Sequence, residues 1–293
     1  MNDNLLNQIT PFIKLARYDK PVGFMLLFWP CMWSLLLYSL YIDQPVPIGF
    51  FVLFFIGSII MRGAGCTWND FLDKEYDKNV SRTKDRPLAS NKIKTINALV
   101  FLLVQLLIGL LILVQFNKLT IIIGSLALIP VFIYPLMKRV TWWPQIFLGI
   151  TFNWGALLGW LSLSNDFSSI YPILLYLACI FWTVGYDTIY AHQDKDDDII
   201  LNLKSSAIKL GENTKNALLI FYAIFFIIFA VTLFSLSNSI IIHLAILSLL
   251  IHLVFQIIYL DINNSDRCLK IFKSNNLLGL QISFFLILEL VIN

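Results

Sequence analysis

Asn69-Asp70-Phe71-Leu72-Asp73-Lys74-Glu75-Tyr76-Asp77 closes an apolar run that begins near residue 48. A run of that length is long enough to cross a bilayer, which takes about 20 mainly apolar residues. Carboxylates at the end of such a helix are costly unless cations or a polar cavity receive them. A second cluster, Tyr186-Asp187-Thr188-Ile189-Tyr190-Ala191-His192-Gln193-Asp194-Lys195-Asp196-Asp197-Asp198, closes another apolar run in the same way. The pair sets the expectation of an all-α membrane protein whose polar site is built where two spans end.

Composition supports that class. Of 293 residues 58% are hydrophobic and 13% charged, against roughly 25% charged in soluble domains, and the mean hydropathy is +0.78. The formal charge of +3 is too small to argue for nucleic acid. Cys31, Cys66, Cys179 and Cys268 lie far apart, a spacing that fits neither zinc nor a disulfide framework and reads as packed thiols.

Nine spans are expected, near 22–41, 48–70, 95–114, 119–137, 144–163, 170–191, 216–236, 239–260 and 276–292. They form one domain over residues 1–293. All but two of the 21 Lys and Arg then fall on one face. The exceptions are Lys118, opposite, and Arg62, inside the second span. Under the positive-inside rule the basic face is cytoplasmic. Lys14, Arg17 and Lys20 precede the first span with no cleavage site behind it and no Arg/Ser-rich leader. The expectation is a multi-pass protein of a bacterial inner (plasma) membrane, its active site toward the cytoplasm.

Both clusters lie on the basic face, and each contains Asp-x-x-x-Asp. Asn69, Asp73 and Asp77 step by four and share one stripe of a continuing helix. Their donors are all oxygen, which suits Mg²⁺. The competing view is a solvated helix end, but acids at a helix C-terminus oppose the helix dipole. Asp70 and Glu75 point off the stripe. Asp187, Tyr190, Asp194 and Asp198 step by three, four and four, so Asp194 and Asp198 repeat the metal spacing of the first cluster. Downstream of the first cluster, Arg82 and Arg86 offer planar forks for phosphate and Lys84 a point charge; alone, that loop would be an ordinary basic loop near lipid headgroups. A site that holds Mg²⁺ and a diphosphate between two oxygen-lined walls is the expected chemistry. Tyr186 and Tyr190 are either interfacial aromatics or cavity walls that stabilise a cation.

These motifs resemble the UbiA-type intramembrane aromatic prenyltransferases. The likeness rests on Asn69-Asp70-x-x-Asp73-x-x-x-Asp77 with Arg82-Thr83-x-x-Arg86-Pro87-Leu88. It rests equally on Tyr186-Asp187-Thr188-x-Tyr190-Ala191-x-x-Asp194-x-Asp196-Asp197-Asp198. Asp19-Lys20-Pro21-Val22-Gly23 with Trp29-Pro30, Tyr134-Pro135-Leu136-Met137-Lys138-Arg139, and Asn275-Asn276 with Gly279 agree as well. Asn91 departs from the family pattern, which has glycine there.

The resemblance implies nine helices around a central cavity with a cytoplasmic cap. It also implies transfer of a polyprenyl chain from its diphosphate to 4-hydroxybenzoate, in ubiquinone synthesis. Mg²⁺ would be held by Asn69, Asp73, Asp77, Asp194 and Asp198, and the diphosphate by Arg82, Lys84 and Arg86. The acceptor carboxylate needs a fixed cation, either Arg62, the one basic residue inside a span, or Arg139. Asp187 is the candidate proton acceptor and Tyr190 the ring beside the allylic cation. Polyprenyl diphosphate, the aromatic acid and membrane lipid are the expected partners. The alternatives are another acceptor, a naphthoate or haem, and, outside the enzyme class, a cation transporter. A transporter would place its acids in broken helices near mid-bilayer.

Overall fold

The computed structural model describes residues 2–164 and 166–292. Among the described residues, nine helices are long and apolar enough to cross a membrane: Pro21–Ile42, Ile48–Leu72, Thr95–Leu113, Lys118–Val140, Pro144–Ser164, Tyr171–Ala191, Ser206–Leu236, Ile240–Tyr259 and Ser265–Ile292. They are the first to ninth spans below. The described residues contain no strand, and the fold is an all-α polytopic bundle. A further helix, Asn2–Leu15, precedes the first span.

Two spans begin earlier than hydropathy indicates. The ninth is a 28-residue helix that starts at Ser265, so Arg267, Lys270 and Lys273 ride on helix and not on a loop. Lys and Arg are good helix formers, so the helix continues beyond its apolar stretch, where a hydropathy window loses it. The seventh opens with a short helix, Ser206–Leu210, before its main segment Thr214–Leu236.

Prolines shape the fourth span. Around Pro130 and Pro135 it divides into Lys118–Leu126, Leu128–Ile133, a 3₁₀ turn at Tyr134–Leu136 and Met137–Val140. A proline lacks the amide and its ring crowds the preceding turn, so the helix is re-aimed just before Tyr134, Lys138 and Arg139.

The core lies between the first, fifth, sixth, seventh and ninth spans and is aromatic. Trp33 and Trp182 are fully buried with ring centroids 5.1 Å apart, and Trp182 stacks on Phe225 at 6.0 Å. Gly155 and Gly159 let the fifth span approach the first. A Cβ on Gly159 would lie 2.9 Å from the Cys31 carbonyl oxygen, and Ser34 Oγ donates to the Ala156 carbonyl at 2.6 Å. The Asn275-Asn276 and Gly279 motif also serves packing. Asn275 accepts from Trp182 Nε1 and Gln256 Nε2 at 2.8 and 3.0 Å, and the Trp29 ring lies against Gly279. All four cysteines are free and buried. Asn91 takes a left-handed φ of 55°, a conformation that asparagine tolerates better than most residues. The position therefore keeps its turn without glycine.

Candidate active site

Both acidic clusters sit where a span ends and a short helix restarts at an angle. The second span stops at Leu72, and Lys74–Asp77 follows. The sixth stops at Ala191, and Lys195–Ile200 follows. The Asp77 and Asp198 amides donate to the Asp73 and Asp194 carbonyls, both at 2.8 Å, so each Asp-x-x-x-Asp pair spans the first turn of the restarted helix. The first break is crossed by a four-residue bond, Asp73 amide to Asn69 carbonyl, and the second by three-residue bonds such as Asp194 amide to Ala191 carbonyl.

Between these junctions lies a cleft of about 1020 Å³. Asn69, Arg82, Arg86, Asp187, Tyr190, Asp194, Asp198 and Arg62 all line it. The walls are tied across the opening by Arg82. Its Nε donates to Asp194 Oδ1 at 2.5 Å, one terminal nitrogen to the other Asp194 oxygen, and the second to Tyr190 Oη at 3.0 Å. The Tyr190 ring also lies beside Phe272 of the ninth span, centroids 4.5 Å apart. Asp198 lines the cleft with no side-chain hydrogen bond or ion pair described. Burial, and then the neighbouring Asp194, push its carboxyl up to about 6.

Asp73, Asp77, Lys84 and Arg139 do not line this cleft. Asp73 is fully buried, with Lys138 Nζ at 2.6 Å, Arg139 at 3.0 Å and the Asn69 amide at 3.3 Å. Asp77 accepts from Arg86 at 2.8 Å; burial pushes its carboxyl up and Arg86 opposes the shift. Lys84 is exposed on the cap. Arg139 also donates to the Leu72 carbonyl and lies over the Tyr76 ring at 4.7 Å.

Several residues that sequence reasoning did not assign belong to the same network. Asp70 is buried and accepts at both oxygens from a single terminal nitrogen of Arg17, at 2.8 and 2.9 Å, and a third bond from Arg86 at 3.1 Å. Arg17 reaches it from a left-handed backbone, φ 59°, a geometry for which the sequence carries no signal. Lys138 was legible, since it precedes Arg139 at the same helix end. Lys204 and Lys273 line the cleft from the seventh-span approach and the ninth span.

Arg62 stands where the cleft meets a second, apolar cavity of about 230 Å³ among the first five spans. Arg62, Tyr134 and Phe152 line both. The guanidinium lies 5.0 Å over the Phe152 ring, and its Nε is buried with no hydrogen-bond partner. Gly23 makes room for it, since a Cβ there would come within 2.6 Å of that Nε. The apolar cavity extends along the second span from Gly65 to Leu53, about 18 Å at the helical rise per residue.

Among the described residues no three His, Cys, Asp or Glu side chains gather closely enough to hold a metal by themselves. The donor chemistry nevertheless fits Mg²⁺. Asn69, Asp194 and Asp198 present only oxygen, on opposed walls, amid Arg and Lys suited to phosphate. Mg²⁺ commonly completes its shell with water and substrate phosphates.

The family model described as the UbiA prenyltransferase family matches residues 27–284. A relative from Drosophila melanogaster, "4-hydroxybenzoate polyprenyltransferase, mitochondrial", is 45% identical over 276 residues, 94% of this chain and 70% of that one. The human protein of the same name is 41% identical over 289 residues, covering 98% and 77%. Among solved structures, the apo UbiA homologue from Aeropyrum pernix superposes with a TM-score of 0.77 at 22% identity, over 90% of this chain and 97% of that one. The Archaeoglobus fulgidus UbiA homologue bound to GPP and Mg²⁺ gives 0.67 at 19% identity, over 94% and 99%. At that identity the solved structures establish the fold.

These relatives correct one expectation. The bacterial inner membrane does not stand, because the curated relatives reported above are mitochondrial proteins. Charge segregation orients a bundle in a bilayer and carries no information on which bilayer it is. The multi-pass membrane architecture stands.

Proposed function

The chain belongs to the UbiA prenyltransferase family, and on that premise we propose a reaction for its cleft. It transfers a polyprenyl group from polyprenyl diphosphate to the ring of 4-hydroxybenzoate, releasing diphosphate, with Mg²⁺ as cofactor, in ubiquinone synthesis. One observation carries this reading. A charged cleft and an apolar cavity meet at Arg62, which suits a donor with an anionic head and a long apolar tail.

In this mechanism Asn69, Asp73, Asp77, Asp194 and Asp198 are the residues that would hold Mg²⁺, whose bound charge would stabilise the departing diphosphate. Arg82 and Arg86 face the cleft and grip phosphate oxygens, and Lys84, exposed on the cap outside the cleft, adds charge from a distance. Asp73 and Asp77 now carry Lys138, Arg139 and Arg86; serving the metal site means exchanging those partners. The C–O bond of the allylic diphosphate breaks, and Tyr190 and Phe272 shelter the allylic carbon from water. The ring carbon beside the phenol forms the new C–C bond, and its proton passes to Asp187. Arg62 holds the acceptor carboxylate, because it lines the cleft, whereas Arg139 does not and commits a terminal nitrogen to Asp73 and Leu72; the Nε of each is without a partner. Isolated burial of such a charge costs about 3 kcal/mol on insertion scales, which an incoming carboxylate offsets.

The test is purified protein with geranyl diphosphate, 4-hydroxybenzoate and Mg²⁺, with products identified by mass spectrometry. The ring-prenylated acid is expected. Prenylation of a naphthoate instead would move the acceptor, and cation flux in vesicles without any prenyl transfer would refute the enzyme. Arg62→Ala should raise the acceptor KM about tenfold to a hundredfold, the worth of a charge-assisted hydrogen bond, with the donor KM little changed.

A further inference from the structure

The helix that carries the second acidic motif ends in an apolar tip. Lys195–Ile200 begins with Asp196, Asp197 and Asp198 and closes on Ile199 and Ile200, whose exposures are 53% and 80%. Two bare isoleucines facing water beside three aspartates would be an odd surface for a cap, since charged helices ordinarily keep aliphatic side chains inward. Their surroundings resolve this. Just beyond the turn at Asn202, the Lys204 amide donates to the Lys138 carbonyl at 2.8 Å. The Lys204 ammonium donates to the Val140 carbonyl at 3.0 Å and lies 5.8 Å over the Trp142 ring. The tip is therefore fastened to the connection between the fourth and fifth spans. There Val140 is 65% and Trp142 39% exposed, and Ile146, in the first turn of the fifth span, is exposed as well. A tryptophan with a lysine ammonium over its ring is the composition of a membrane–water interface.

We propose that Ile199 and Ile200 insert into the bilayer at the interface on the basic face. The cap helix bearing Asp194 and Asp198 is thereby anchored to the lipid. The turn that follows the tip is tied through Lys204 to Val140 and Trp142, at the end of the fourth span, which is why the occupant is the bilayer and not a soluble partner. The functional consequence rests on the proposed prenyl transfer. The diphosphate of a lipid-borne donor arrives at headgroup level, and the dipping tip holds one wall of the cleft at that level.

The anchoring itself is tested without any activity. A bimane label on Ile200→Cys, in phosphatidylcholine–phosphatidylglycerol vesicles, should be quenched by lipids with a nitroxide high on the acyl chain and shielded from aqueous iodide. The same label on Asp196→Cys should show the opposite pattern. Equal iodide quenching at both positions would overturn the proposal. So would protection at residue 200 that no nitroxide lipid quenches and that fades on dilution of the protein, the mark of a second copy.

The consequence is tested by Ile199→Asp with Ile200→Asp. In vesicles, kcat/KM for a long-chain donor should fall about fivefold, while geranyl diphosphate in detergent changes less than about twofold, a loss consistent with removing apolar burial. An equal fall for both donors would mean a damaged fold and would overturn the claim of anchoring for lipid donors. Absence of transfer by the unmutated protein would instead refute the activity, leaving the quenching result intact.

Discussion

At Asp73 the backbone sits at φ −94°, ψ 6°, and at Asp194 at φ −109°, ψ 4°. The amide four residues on closes the same 2.8 Å bond at each. The two junctions are one local design used twice, yet they are held differently. Asp73 is fully buried between Lys138 and Arg139, and its companion Asp77 is clasped by Arg86. Asp194 is partly exposed with Arg82 alone, and Asp198 carries no ion pair among those described. Burial explains the contrast. A carboxylate with no access to water must bring its counterions with it, whereas one at the cleft surface is still solvated. The first junction is a finished ion network that also supports the fold. The second keeps carboxylate capacity free for ligands.

The largest effect separates neither junction and tests the shared role. Asp73→Ala and Asp194→Ala should each lower prenyl transfer by about a hundredfold or more, the scale of removing one preorganised electrostatic group. Near-full activity in either variant would break the pairing and leave a one-walled site.

Stability should then divide them. Removing Asp73 takes a fully buried carboxylate from both Lys138 and Arg139, themselves 30% and 31% exposed, at a cost of about 2–3 kcal/mol. Removing Asp194 frees a half-exposed arginine, at a cost of about 1 kcal/mol or less. Thermal unfolding in detergent reads the difference. Equal losses would mean that burial does not govern how the two junctions are held.

Much of this was legible before any coordinates. Apolar run lengths and the segregation of Lys and Arg yielded nine spans, because both follow from the bilayer as solvent. The i, i+4 spacing exposed both acidic motifs, and each Asp-x-x-x-Asp pair shares the first turn of a short helix. The breaks at Asp73 and Asp194 were not legible, since no proline or glycine marks them. Nor were the counterions. Arg17 reaches Asp70 only through a left-handed turn, and Lys138 reaches Asp73 because prolines re-aim the fourth span. Those are consequences of tertiary packing, and spacing along one helix cannot show what another helix brings. Arg62 was visible as a buried charge, but not that it stands between two cavities.

The free capacity of the second junction should show in its pH dependence. Burial holds the Asp198 carboxyl at about 6, above its value of roughly 4 in the unfolded chain. Protons should therefore compete with Mg²⁺ for Asp198, so that the Mg²⁺ needed for half-maximal transfer rises as pH drops below about 6, and Asp198→Asn should remove that dependence while lowering the plateau. The stability sign is the reverse. Between roughly pH 4 and 6 the folded state holds a proton that the unfolded chain has released, so stability declines as pH rises through that window. Asp198→Asn should flatten the decline. A Mg²⁺ requirement that stays level down to pH 5 would take Asp198 out of the metal site.

The smallest effect is the bond between the walls. Arg82 and Asp194 are 38% and 19% exposed, so a stability double-mutant cycle over Arg82→Ala and Asp194→Ala should return a coupling of about 1 kcal/mol or less. The same cycle over Lys138 and Asp73 should return more, since that pair is sealed from solvent screening on the carboxylate side. The ordering matters for ligand entry. A diphosphate that displaces Asp194 from Arg82 exchanges one charge-assisted contact for another at little net cost. Any exchange at Asp73 must dismantle a buried network. A coupling of several kcal/mol between Arg82 and Asp194 would invert that order, making the second wall the rigid one and the first the place where ligand exchange begins.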